Sequence, residues 1–138
     1  MASKRTPAAQ KKIVLAAPAV PSRAATPSPG NVALELKAAA DGSGEVVLAY
    51  EGPLAAHGEV LARAGTSRRG AAPWSEIQDV RLSREAPGRW VGALRVGAGA
   101  PVEAVQLAFH ADADWDNGGR APLGYYEWSV RERQVVVR

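Results

Sequence analysis

Residues 103–111 read Glu-Ala-Val-Gln-Leu-Ala-Phe-His-Ala. Val105, Leu107 and Phe109 fall on one side of an extended chain, and Ala104, Gln106, Ala108 and His110 fall on the other. A strict period of two over this length is the mark of a strand with one face turned to a core. The same alternation recurs outward in both directions. Upstream, Trp90, Gly92, Leu94 and Val96 share one side of RWVGALRV, behind a Pro87-Gly88 turn. Val60, Ala62 and Ala64 oppose Leu61 and Arg63 within Gly58–Gly65, and DVRLS at 79–83 is short and alternating. Val46, Leu48 and Tyr50 pair naturally with Val32, Leu34 and Leu36 across the turn-forming DGSG at 41–44. Downstream, Tyr126, Trp128 and Val130 alternate, and a Val-rich strand closes the chain at 133–138. Seven or eight short strands separated by Gly and Pro, with no capped helical period, predict an antiparallel β-sandwich of immunoglobulin-like size over residues 31–138.

Residues 1–30 differ. They are rich in Ala, Pro and Ser, carry Lys4, Arg5, Lys11, Lys12 and Arg23, and contain no acid. Too little apolar surface is present to offset the entropy of ordering, so a disordered basic arm is expected. Lys11-Lys12 followed by IVLAAPAV has the outline of a signal peptide, but the apolar stretch is short and Pro18 interrupts it. A linker or docking arm in a cytoplasmic protein is the preferred reading. The arm also accounts for the high pI. Of 17 basic residues 12 lie in 31–138, against all 14 acids, so the sandwich carries a net charge of −2. That balance disfavours a nucleic-acid surface built on Arg63, Arg68, Arg69 and Arg120. No apolar run approaches the ~20 residues that span a bilayer, so no membrane partner is expected.

The chemistry must come from few residue types. There is no Cys, so disulfides and thiolate metal sites are excluded. His57 and His110 are the sole histidines. No nucleophile elbow, phosphate loop or zinc-protease helix is present, and the chain is read as a non-enzyme without cofactor. Asp112-x-Asp114-x-Asp116 has the rhythm of a calcium loop, but the flanking helices and distal Glu are missing, so a solvated acidic turn is expected instead of a metal site. Aromatics are the concentrated resource. Residues 109–128, FHADADWDNGGRAPLGYYEW, hold five of the eight in the chain. Trp90 suits a core position in mid-strand, and Phe109, Tyr126 and Trp128 belong to strands. That leaves Trp74 from one loop and Trp115 from another. A sugar ring offers an apolar C–H face and a rim of hydroxyls, which aromatic planes and planar polar groups match. Arg63, Asp116 and Asn117 are the candidate rim contacts.

These residues also carry a resemblance. The strand ending in Phe109, the polar loop, Trp115-Asp116-Asn117 and the aromatic closing strand are similar to the signature of starch-binding carbohydrate-binding modules of families twenty-five, twenty-six and fifty-three. EVLARAG, a variable loop and Pro73-Trp74 resemble their strand–loop–Trp segment. The similarity runs from about Glu45 to Val130. It implies a β-sandwich that binds α-1,4-glucan, as polysaccharide or oligosaccharide, without cleaving it. Trp74 and Trp115 would be the stacking platforms, Asn117 a hydroxyl contact or loop-shaping residue, and Asp116 a rim contact or a brace. The chain departs from the pattern at Arg63, where those modules often place His or an aromatic, and at Gly118, where they have a second Asn. The rival expectation is a structural or protein-interaction sandwich that has lost sugar binding. In that case the basic arm recruits an acidic partner or a carbohydrate-active enzyme.

Overall fold

The alternation at 103–111 builds the central strand of a sandwich. The computed structural model describes residues 31–119 and 124–138. The expected arm at 1–30 and Arg120 lie outside the described residues. Ten strands follow in chain order: β1 (Val32–Ala38), β2 (Gly44–Tyr50), β3 (Leu61–Arg68), β4 (Ser75–Arg81), β5 (Ser83–Ala86), β6 (Arg89–Val96), β7 (Val102–Ala111), β8 (Asp114–Asp116), β9 (Tyr126–Ser129) and β10 (Gln134–Val137). One sheet has the order β1-β2-β6-β5 and the other the order β10-β9-β7-β3-β4, every pairing antiparallel. The long β7 is shared along its far edge. Its first half pairs with β9, and its last three residues pair with β8.

The inward faces match the sequence pattern. Val46, Leu48 and Tyr50 of one sheet meet Val105, Leu107 and Phe109 of the other, all essentially without solvent contact. Tyr50 stacks on Phe109 with ring centroids 4.1 Å apart, and Tyr126 meets Phe109 edge-on at 5.9 Å. Both arrangements suit aromatic quadrupoles. Trp90 is the expected core tryptophan. It is buried, and its indole N–H donates to the Ala55 carbonyl at 2.8 Å. Trp128 is buried in the same core from β9.

Ten strands are described where seven or eight were expected: β4 begins at Ser75 ahead of Asp79, and Asp114–Asp116, expected with Trp115 in a loop, forms the short strand β8. Two further strand boundaries differ from the sequence reading. DVRLS is not one strand but a crossing point between sheets: β4 ends at Arg81 and β5 begins at Ser83 in the opposite sheet. Leu82 between them turns into the core, and its N–H donates to the Val60 carbonyl at 3.0 Å. One apolar side chain and one backbone bond thus carry the switch, and neither alters the local alternation. The other difference is β3, which runs on to Arg68 where a loop was expected from Ser67. Arg68 is held there by Glu76 and by the carbonyls of Gly97 and Ala100. These partners are distant in sequence. The loop that delivers Trp74 is correspondingly short.

Candidate binding cleft

The candidate site lies on the outer face of the β10-β9-β7-β3-β4 sheet. Register fixes which residues share that face. Leu61, His110 and Trp115 form one row, Arg63 and Ala108 a second, and Gly65, Gln106 and Glu127 a third. Small residues at 65 and 108 leave the middle of the face low. At Gly65 the Trp74 backbone and ring lie so close that an added Cβ would sit 2.7 Å from the Trp74 Cα and 2.8 Å from its ring. Gly65 is therefore the residue that lets Trp74 settle on the sheet. Gly65→Ala is expected to push Trp74 outward, seen as a red shift and greater quencher access in tryptophan fluorescence with little change in far-UV circular dichroism.

Trp74 is backbone-strained, with φ at 60°. A bulky residue rarely adopts the left-handed region, so this conformation must be held by its surroundings. Its N–H donates to Gln106 Oε1 at 2.9 Å, and its ring meets Tyr125 edge-on at 5.3 Å. Opposite, Trp115 stacks on His110 with centroids 4.4 Å apart and planes 29° from parallel, yet stays 48% exposed. Stacking therefore fixes the ring and leaves much of it open to a ligand. The Arg63 guanidinium lies 5.4 Å from the Trp115 ring centroid, within cation–π range. Asp79 grips the same guanidinium through both oxygens, at 3.0 and 3.3 Å. This pairing raises the Arg63 pKa and, through the hydrogen bond first, lowers that of Asp79.

Between the two tryptophans lies an open cleft of about 540 Å³. Ala108 is among its lining residues, with Trp74, Tyr125 and Gly124, Trp115, Arg63 and Asn117. Four of the five residues expected at the site are thus brought together. The fifth departs from the rim-contact reading and fits the alternative one, a brace. Asp116 is buried in the core and does not face the cleft. Its Oδ2 accepts from the Tyr50 hydroxyl at 2.6 Å, and its Oδ1 accepts from the Tyr126 hydroxyl at 2.6 Å and from the Gly118 N–H at 3.1 Å. The reason is parity, since Asp116 pairs with inward-facing Phe109 while Trp115 pairs with outward-facing His110. Asp112 and Asp114 remain at the exposed hairpin tip, 3.8 and 3.6 Å from His57. Gly118 also gains a physical account. Its φ is +81°, and an added Cβ would lie 2.7 Å from the Val137 side chain, so the larger residue of the pattern does not fit.

The sequence reading missed Tyr125 and Gln106. The Tyr125-Tyr126 doublet did contain the signal for the first: if Tyr126 points inward, its neighbour points outward. Gln106 was placed on the outer face but given no task. Of the four arginines weighed for nucleic acid, the three among the described residues are engaged: Arg68 by Glu76 at 3.0 Å, Arg69 by Glu103 at 3.8 Å and Arg63 by Asp79. Among the described residues no group of three or more His, Asp or Glu side chains is placed to hold a metal ion. No family model, no curated protein and no solved structure matches this chain.

Proposed function

We propose that this chain is a non-catalytic binding module for α-glucan, taken up in the cleft between Trp74 and Trp115. One observation carries the reading: two tryptophans from separate segments line a single open cleft, with Arg63 and Asn117 beside them. Aromatic walls suit the apolar faces of glucose rings, and the planar guanidinium and amide suit hydroxyls. Arg63 is already neutralised by Asp79, so its remaining N–H groups address a neutral ligand better than an anion.

Titration of the full chain with maltoheptaose, followed by calorimetry or by NMR shifts of the indole N–H groups, tests the proposal. A shallow two-platform site gives an expected Kd of roughly 10 μM to 1 mM. No binding to any soluble or insoluble α-glucan ends this reading.

Salt separates it from the rival. Stacking and neutral hydrogen bonds are weakly screened, so raising salt from about 50 mM to about 500 mM should change the glucan Kd by less than about twofold. A sandwich recruited through its basic arm should instead lose its partner steeply over the same range. That outcome, with no glucan binding by residues 31–138, would establish the interaction-module reading.

A further inference from the structure

We propose that Gln106 is the positioning residue of the cleft, acting through Trp74 and holding its backbone in the left-handed conformation that presents the indole beside Tyr125. Its value for ligand binding rests on the glucan reading above; the positioning itself does not.

Gln106 occupies the outward face of β7, where a strand normally shows polar side chains to water, yet it is completely buried. A buried amide must satisfy its hydrogen-bonding groups within the protein. Gln106 does so with three bonds of 2.9 Å. Its Nε2 donates to Ser67 Oγ and to Glu127 Oε2, and its Oε1 accepts from the Trp74 N–H. The orientation of the amide follows from chemistry. The Trp74 N–H can only donate, so the carbonyl end must face it and the NH₂ end is left to face Glu127 and Ser67. Glu127 is itself fixed, since its Oε1 accepts from Arg138 Nε at 2.9 Å.

The need for such an anchor is visible in the backbone. Trp74 and Glu76 both have positive φ, at 60° and 56°, on either side of Ser75. The β3–β4 ladder shifts register here, between Ala64 and Thr66, and resumes only at Thr66 opposite Ser75. The Trp74 N–H is therefore turned down onto the sheet, where Gln106 receives it. Gly65 supplies the room and Gln106 supplies the bond. Removing that acceptor leaves the strained Trp74 backbone with no partner for its N–H, and the loop is expected to relax away from the sheet.

The test is a double-mutant cycle with amide exchange. Gln106→Leu keeps similar bulk and removes the acceptor. Its expected signature is at least about tenfold faster exchange at the Trp74 amide, with β7–β8 amides unchanged. Maltoheptaose binding should weaken about as much as in Trp74→Ala, and adding Gln106→Leu to Trp74→Ala should cost less than about a further twofold, because both act on one platform. Equal losses in both backgrounds, or an unchanged Trp74 amide, overturn the proposal. Should Gln106→Leu not fold, Gln106→Met decides, since it keeps an unbranched side chain of similar length and offers only a weak thioether acceptor. Faster exchange at the Trp74 amide with weaker maltoheptaose binding supports the proposal, and a wild-type Trp74 amide overturns it. Should the wild-type chain bind no glucan, the functional reading fails alone, and Trp74 amide exchange in either variant still decides the role of Gln106.

Discussion

Asp116→Ala is expected to destabilise the sandwich more than any substitution in the cleft itself. The wild-type carboxylate serves three donors in the core: the hydroxyls of Tyr50 and Tyr126 and the Gly118 N–H. Both tyrosines are almost fully buried, so water cannot replace the lost acceptor. Leaving a buried donor unsatisfied costs about 1–3 kcal/mol, which puts the combined loss at about 3–5 kcal/mol once the vacated volume is included. For a domain of this size that is a fall in Tm of about 15–25 °C. Asp116→Asn keeps the shape and one acceptor oxygen, so its loss should be about 1–2 kcal/mol. The amide nitrogen would face one tyrosine hydroxyl. At Tyr50 that oxygen already accepts from the Leu54 N–H, at 3.1 Å. Thermal unfolding of the two variants measures both losses. An Asp116→Ala protein as stable as wild type would mean that the tyrosines find other acceptors.

The same triad predicts a pH dependence. Burial, and then the hydrogen bond to Asp116, raises the pKa of both Tyr50 and Tyr126 above the ordinary phenol value. The folded state therefore keeps protons that the unfolded chain releases. Stability from this source is complete below the unfolded tyrosine pKa of about 10 and declines as pH rises beyond it. Denaturant unfolding between about pH 9 and pH 11.5 should show that decline. In Asp116→Ala the decline should level off at a lower pH, since the contribution of the carboxylate to the shift is gone while burial remains.

This triad also marks the limit of what the sequence could reveal. Alternation alone was enough to place β7, β2 and β6, to assign Trp90 to the core and to leave Trp74 and Trp115 outside it. The strands and Trp90 depend on parity within one strand, and Trp74 and Trp115 are set apart by falling between the strands read that way. Asp116 needed parity too, but β8 has only three residues, and a three-residue period is not visible beside an acidic loop. The role of Gln106 was hidden for a different reason. Its partners Ser67, Trp74 and Glu127 lie 39, 32 and 21 residues away, and only the β3-β7-β9 register brings them together. The sheet switch at Leu82 was hidden similarly, because a strand that changes sheets alternates as regularly as one that does not.

Replacing both Trp74 and Trp115 with Ala is expected to abolish co-sedimentation with insoluble starch while leaving the fold intact. Each ring should contribute on the order of 1–2 kcal/mol, taking aromatic pairing as the guide, so either loss alone weakens binding about 5- to 30-fold. The two singles should not be equal. Tyr125 stands against Trp74 and still lines the cleft when that indole is gone. Across the cleft, removing Trp115 uncovers His110 and frees the Arg63 guanidinium from the ring that it overlies. Trp115→Ala should therefore be the weaker binder of the two. The double variant loses about 2–4 kcal/mol, which moves a micromolar-to-millimolar site beyond detection by sedimentation. Stability should hardly change, because both rings sit on the outer face of the sheet and neither belongs to the packed core. Near-UV circular dichroism and Tm of the double variant check that point independently of the ligand. If that folded double variant sediments with starch as fully as wild type, the cleft is not where glucan binds.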